Sequence, residues 1–291
     1  MTSAMSQKTF AVVGATGSVG RVVASTLQGL GHQVRSVARS AGISFDDAAA
    51  LSRAFANIDG AFLMIPFDSG APDLHKREAE IGAHLAEAVS RAAVRRVVQL
   101  SGTSAHLRAG SVTGAAMMEE RLETLEIPEF VCLRGAFFMD NLLQSIGPMA
   151  ESGVFAGAFA PDRPMPMVAA RDVGKRAAEL LVEPFSGPRV QEVLGPRDYT
   201  LTEAVRILGS AVGRPDARYL QVGYDEARAA MMRAGISAGL ASAVMETARS
   251  FNEGQVWARE TRSPRNTTDT TLETFAAETF APAYRVATSR P

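Results

Sequence analysis

Thr9-Phe10-Ala11-Val12-Val13 runs directly into Gly14-Ala15-Thr16-Gly17-Ser18-Val19-Gly20, and Arg21 opens the stretch that follows. The first five residues are mostly apolar or β-branched, as a buried strand requires. Across residues 21–30 the apolar positions recur at helical spacing. A glycine turn that leaves a strand and opens a helix is built to meet phosphate. The first glycine permits the tight turn, the second admits a pyrophosphate close to the backbone, and the third lets helix and strand pack closely. N–H groups and the dipole at the helix start favour the anion. Gly14, Thr16, Gly17, Ser18, Val19 and Gly20 are therefore the expected diphosphate cradle. Their spacing is Gly-x-x-Gly-x-x-Gly rather than Gly-x-Gly-x-x-Gly, so the flanking strand and helix carry the assignment as much as the glycines do.

Residues 33–38 read as a second strand, and it ends at Ala38-Arg39-Ser40. Chains that take NAD usually carry Asp or Glu here to hold the adenosine ribose. Arg39 and Ser40 can instead hold a 2′-phosphate, which a carboxylate would repel. Each hydrogen bond to a charged group contributes roughly 1.5–3 kcal/mol, about tenfold to a hundredfold in affinity. The expected cofactor is NADP(H).

Further along, the pattern predicts a short third strand at 43–45 and a helix over 51–56. A buried strand over 61–65 is stopped by Pro66. A long helix is expected over 75–93, a strand over 96–100, a loop over 101–114, a helix over 115–125 and a strand over 130–133. Strands alternating with helices predict an α/β fold, a doubly wound parallel sheet covered on both faces. Past Gly147 the rhythm changes. Gly and Pro are frequent between Gly153 and Pro166, and helical spacing then dominates at 173–182, 202–212, 225–234 and 238–251. The expected organisation is a Rossmann-type nucleotide domain over residues 1–150. A smaller, mostly helical substrate lobe over 151–291 follows, some segments of which return to the first domain.

Composition narrows the function. With 291 residues, nearly half of them hydrophobic, and a formal net charge of -1, the chain has a large core and no basic excess. Nucleic acid is not an expected partner. Cys132 is the only cysteine, which excludes an internal disulfide and fits a reducing compartment. Residues 1–8 lack the apolar stretch of a signal peptide, and no apolar run reaches bilayer length, so a cytoplasmic protein without a membrane span is expected. His32, His75, His84 and His106 show no paired ligand spacing, and no metal site is expected. Cys132 lies inside an apolar strand and reads as inert core. No Gly-x-Ser-x-Gly elbow occurs.

The chain resembles the NmrA-like branch of the atypical short-chain dehydrogenases/reductases. The residues that carry the resemblance are Gly14-Ala15-Thr16-Gly17, Val97-Val98-Gln99-Leu100-Ser101, Glu120 and Leu133-Arg134-Gly135-Ala136-Phe137-Phe138-Met139-Asp140-Asn141. Val168-Ala169-Ala170-Arg171-Asp172-Val173 and Val193-Leu194-Gly195-Pro196 extend it over nearly the whole chain. The resemblance implies a Rossmann fold with a small C-terminal lobe and a cofactor lying along the strand ends. Ile65, Pro66 and Phe67 would flank the adenosine and its ribose. Ser101, Gly102 and Thr103 would sit near the nicotinamide ribose, and Gly135, Ala136, Phe137 and Phe138 would border the nicotinamide.

Most short-chain dehydrogenases pair Tyr with Lys as Tyr-x-x-x-Lys. That pair cannot occur here in the nucleotide domain: the first tyrosine is Tyr199, and no lysine lies between Lys76 and Lys175. The corresponding helix reads Ala115-Ala116-Met117-Met118-Glu119-Glu120. General acid–base help is worth about 10²–10⁴ in rate, whereas positioning supplies effective molarities of roughly 10⁵–10⁸ M. The loss therefore favours easily reduced acceptors. Ser101, Thr103 and His106 remain as candidate catalytic residues, the first two as hydrogen-bond donors and His106 as a proton carrier near neutrality. The expected function is an NADPH-dependent oxidoreductase passing hydride to a small, hydrophobic, activated acceptor of quinone, enone or iminium type. The alternative is a non-catalytic NADP(H)-binding redox sensor acting through a protein partner, since the family contains both kinds. Homo-oligomer formation stays open. Phe155, Phe159, Met165, Met167, Met231 and Met232 either line the substrate cleft or fill the lobe's own core, and Trp257 is a candidate for a lid or an oligomer contact.

Overall fold

A computed structural model describes residues 7–68, 70–185, 187–255 and 257–289. The period-two alternation of the first strand organises its core. In β1 (Thr9–Val13), Phe10 and Val12 face one apolar layer, and Ala11 and Val13 face the other. The same division holds in β3 (Gly60–Leu63), β4 (Arg96–Gly102) and β5 (Glu129–Gly135). With β2 (Gln33–Val37) and β9 (Val190–Val193) these strands form a six-stranded parallel sheet in the order β2-β1-β3-β4-β5-β9. This is the expected doubly wound α/β architecture.

On one face lie α2 (Ala48–Phe55), α3 (Leu74–Arg91) and α4 (Thr113–Glu123), whose apolar stripes bury Leu51, Phe55, Ile81, Leu85 and Leu122. On the other, α1 (Ser18–Gly29) packs against α6 (Ala170–Val182). The approach is close: a Cβ at Gly174 would stand 2.6 Å from Val22 Cβ.

The third strand expected at 43–45 does not form. This is a correction to the periodicity reading. Phe45 is buried in the sheet-facing core, but its carbonyl is bonded by His84 Nδ1 at 2.7 Å rather than by a strand neighbour. Asp47 then caps α2 by accepting the Ala50 N–H at 2.8 Å. A chain committed to a helix start two residues later has no room to continue as a strand. The expected loop over 101–114 is shorter, because β4 keeps its pairing with β5 as far as Gly102 opposite Gly135.

The lobe mixes helices with short strands that periodicity did not reveal. β6 (Phe137–Phe138), β8 (Met165–Val168) and β10 (Asp198–Tyr199) form one small sheet. β7 (Val154–Gly157), which follows α5 (Ile146–Ser152), pairs with β11 (Arg218–Gln221) in another. Around them lie α7 (Leu201–Ala211), α8 (Tyr224–Arg233), α9 (Ala238–Asn252), α10 (Leu272–Phe275) and α11 (Ala281–Thr288). Asp140 ties lobe to sheet layer, its carboxylate accepting the Ala170 N–H at the start of α6 at 2.8 Å.

Candidate functional site

The chain leaves β1 toward β2 on one side and returns through β3 on the other, so the strand order reverses between β1 and β3. In open α/β sheets the crevice at such a reversal, beyond the carboxyl ends of the strands, is the ligand position. The glycine turn lies there. Gly14 has φ +71°, and a Cβ on it would meet Met64 Sδ at 2.4 Å. A Cβ at Gly20 would fall 2.2 Å from the Gly14 carbonyl oxygen. A side chain is strained at Gly14 by the positive φ and blocked at Gly20 by backbone. The turn is closed by Gly17 N–H donating to the Gly14 carbonyl at 2.9 Å, and Gly17 caps α1 with no side chain covering the helix end. The N–H groups of Ser18 and Val19 in the first turn are left without intrahelical acceptors. These are the properties a pyrophosphate cradle needs.

Arg39 and Ser40 are brought to the same place. Ser40 Oγ lies 3.5 Å from Thr16 Oγ1, joining the end of β2 to the glycine turn. Arg39 reaches the loop after β3, with Nη2 donating to the Phe67 carbonyl at 3.5 Å and Nη1 3.5 Å from Asp68 Oδ1. Ile65 is buried, whereas Phe67 is 44% exposed, so Phe67 offers an open apolar face beside the crevice. The residues expected around the adenosine end thus converge from three separate segments.

The other end lies at the tips of β4 and β5. Val97, Gln99 and Ser101 share the face of β4 that looks toward α4: Val97 packs in that core layer, and Gln99 donates to the Ala115 carbonyl at 2.9 Å. Ser101 is buried, and its Oγ has no hydrogen-bond partner. A buried hydroxyl left unsatisfied costs free energy, and this one, among six such side-chain atoms of the described residues, lies at the tip of β4 where a ligand group would satisfy it. Thr103 is buried too, and its N–H donates to the Gly135 carbonyl at 3.0 Å. His106 Nδ1 lies 3.0 Å from the Thr103 carbonyl. A carbonyl only accepts, so in the neutral ring the proton sits on Nδ1 and Nε2 is the basic nitrogen. Gly102 faces Val112, Gly135 lies against the Phe138 ring, and Ala136 is buried beside them.

On α4, Ala116 is buried and Glu119 is held by Arg134, which donates from Nε at 3.1 Å and from Nη2 as well. The pair is nearly fully buried and bidentate, a much stronger arrangement than a solvated surface charge. Glu120 instead meets Arg108 at an exposed position. The helix on which the resemblance to short-chain dehydrogenases would place Tyr and Lys therefore presents alanine and an already paired carboxylate. Cys132 lies behind this pair, and burial, followed by the nearby Glu119 charge, pushes its thiol well above the ordinary range. That removes it as a nucleophile.

The lobe closes the far wall. Phe137 meets Phe159 edge-on at 6.1 Å, and Phe159 contacts Trp257 at 6.3 Å and Phe251 at 5.8 Å. Trp257 is buried in this aromatic stack and does not form an exposed lid. Met165 and Met167 are fully buried lobe core, Phe155 meets Tyr219 edge-on, and Met232 is exposed. Of the six apolar lobe residues, Phe159 makes the contact with Phe137. Helix α9 grips the loop carrying His106: Gly110 N–H donates to Glu246 at 3.1 Å, and Ser111 N–H to Thr247 Oγ1 at 3.0 Å. Sequence reasoning passed over Asp68, Gly110 and Asp140. The positive φ of Gly110, +70°, has its sequence signal only in the glycine itself. Among the described residues no cluster of three or more His, Cys, Asp or Glu is placed to hold a metal, and no helix is long and apolar enough to cross a membrane.

Comparison with known proteins agrees with this geometry. A family model described as NmrA-like matches residues 6–276. A Streptomyces griseus protein, (4-alkanoyl-5-oxo-2,5-dihydrofuran-3-yl)methyl phosphate reductase, is 29% identical over 235 residues, covering 76% of this chain and 79% of its own. Two solved structures share the fold. Triphenylmethane reductase from Citrobacter sp., complexed with NADP(H), has a TM-score of 0.73 at 19% identity, over 93% of this chain and 99% of its own. An NADPH-dependent quinone oxidoreductase from Escherichia coli, complexed with NADPH, has a TM-score of 0.72 at 22% identity, over 93% and 99%.

Proposed function

The chain belongs to the NmrA-like family, and from that membership together with the crevice geometry we propose that it is an NADPH-dependent reductase of small, hydrophobic, conjugated acceptors. The convergence of Arg39, Ser40 and Thr16 at the strand-order reversal carries the reading. It supplies a cationic fork and hydroxyl donors where a 2′-phosphate would lie, beside a glycine turn whose Gly20 is blocked to a side chain by backbone. The residues present therefore fit NADP(H), which supplies a hydride when bound.

The chain's own residues divide the remaining work. Ser18 and Val19 N–H groups at the start of α1 take the pyrophosphate. Arg39 and Ser40 hold the 2′-phosphate, and Ile65, Pro66 and Phe67 flank the adenosine. Ser101 Oγ, buried and unpaired, donates to the ribose or to an acceptor oxygen. Gly135, Ala136, Phe137 and Phe138 border the ring that reacts, and Phe137 with Phe159 offers an aromatic wall to the acceptor. Thr103 and His106 stand at the tip of β4 as the groups nearest to a proton path.

The absence of Tyr and Lys on α4 selects the acceptor class. A plain ketone needs a proton at oxygen as hydride arrives. A quinone or enone spreads the incoming charge over its conjugated system, and an iminium or dye cation is neutralised by it. The relatives act on acceptors of this character: a quinone, triphenylmethane dyes, and a dihydrofuranone phosphate whose ring carbonyl and alkanoyl group polarise the same double bond. Consumption of NADPH, followed by absorbance without oxygen against quinones, enones, iminium ions and cationic dyes, tests the reading. Rapid loss with one class is expected. No loss across the panel, with NADPH binding verified, would replace it by the sensor reading, which the alanine-lined α4 also accommodates.

A further inference from the structure

The cationic fork assigned to the 2′-phosphate is not idle in this structure. Asp68, on the loop leaving β3, lies 3.5 Å from Arg39 on one side and 3.3 Å from Arg77 Nε on the other. The two arginines differ in what else they hold. Arg77 is gripped by both Asp46 oxygens at 2.7 Å and approaches Glu80 at 3.5 Å. Arg39, among the described residues, has no carboxylate other than Asp68; its remaining contact is the neutral Phe67 carbonyl.

We propose that Asp68 is a specificity-determining residue: it competes with the 2′-phosphate for Arg39, yields Arg39 to that phosphate, and thereby sets how strongly NADP(H) is preferred over NAD(H). This rests on the assignment of Arg39 to that phosphate. The handover is favourable because the Arg39–Asp68 pair is long and its arginine is 61% exposed, conditions under which an ion pair contributes little. A phosphate dianion offers more charge and more acceptor oxygens than one carboxylate. Asp68 still lowers affinity in two ways: its pair with Arg39 must break, and its charge remains beside the bound phosphate. Removing that charge leaves Arg77 paired with Asp46 and Arg39 released, so the phosphate site becomes more positive; an asparagine at 68 keeps the side-chain oxygen that accepts the Gly70 N–H at 3.2 Å.

The test is a fluorescence titration of the full chain with NADPH and with NADH, for the wild type, Asp68→Asn, Asp68→Ser, Arg39→Ala and the Asp68→Asn/Arg39→Ala double variant. Both Asp68 variants should bind NADPH roughly threefold to tenfold more tightly, with NADH changed by less than about twofold. The gain should vanish in the Arg39→Ala background, which marks it as acting through Arg39. Weaker NADPH binding in the Asp68 variants, equal shifts for both cofactors, or a gain that persists without Arg39 would each overturn the proposal alone. A wild type that binds NADPH no more tightly than NADH would overturn the Arg39 assignment itself.

Discussion

At the scale of single residues, the proposed cleft contains one group whose proposed role is electrostatic and one set apart by an unpaired hydroxyl. Arg39 lies at the end of β2 and reaches across to the loop after β3, and both placements follow from its position in the sheet. Arg39→Asp should reverse the local charge and raise the Kd for NADPH about tenfold to a hundredfold relative to NADH, read by competitive titration. Unchanged NADPH affinity would remove Arg39 from the site. Ser101 is buried with an unsatisfied hydroxyl. Ser101→Ala removes a polar group that packing does not use, so the melting temperature should hold or rise while kcat/KM falls about tenfold or more. A loss of stability with unchanged turnover would make Ser101 structural. Arg39 was legible from sequence because the acidic position after the second strand has a fixed place in the motif. Asp68 was not, because its partner lies 29 positions earlier in the chain and only folding brings them together.

At the scale of elements, α3 and α4 meet over a buried carboxyl. Glu78 is almost inaccessible, with His75 Nδ1 at 2.8 Å, and a Cβ at Gly114 would stand 2.6 Å from its carboxyl carbon. Burial raises its pKa above the ordinary glutamate value near 4.5, and the His75 contact offsets this only in part. The folded protein therefore keeps this proton at pH values where the unfolded chain has released it. The resulting stabilisation is full below the ordinary value and is lost as pH rises through the raised one. Glu78→Gln should flatten that loss. Urea unfolding at stepped pH above 4.5 should show the wild type falling relative to the variant by at most about 1.4 kcal/mol per pH unit inside the window. A constant difference across the range would show that Glu78 has the same affinity for its proton in both states. Most helices and central strands were legible because their periodicity is local. Residues 43–45 were misleading because three residues of apolar–polar alternation are equally suited to a turn that buries one side chain, here Phe45. The carbonyl of Phe45 takes its hydrogen bond from His84 on α3, and no local pattern announces that.

At the scale of the whole molecule, the proposed cofactor cleft draws on segments from the glycine turn, the β2 end, the β3 loop and the β4 and β5 tips, and the lobe touches that last group through Phe159 and α9. A ligand that bridges so many segments stabilises the assembled fold and not the open chain. NADPH at about 100 times its Kd should add about 2.7 kcal/mol and raise the melting temperature by roughly 5–10 °C, with NADH at equal concentration giving a smaller shift. Equal shifts for the two cofactors would contradict the phosphate assignment.

The sequence by itself determined the parallel sheet, the glycine cradle, the cationic end of β2 and the loss of Tyr and Lys from α4. Each of these is a matter of residue type at short spacing, where backbone sterics and period-two or helical patterning act within a few residues. Tertiary structure decided the rest. It set Arg39 against Asp68, buried Ser101 without a partner, paired Glu119 with Arg134, and folded Trp257 into the aromatic wall behind Phe137 and Phe159. Those outcomes depend on which distant groups are brought side by side, and that proximity arises only when the strands have been ordered into a sheet.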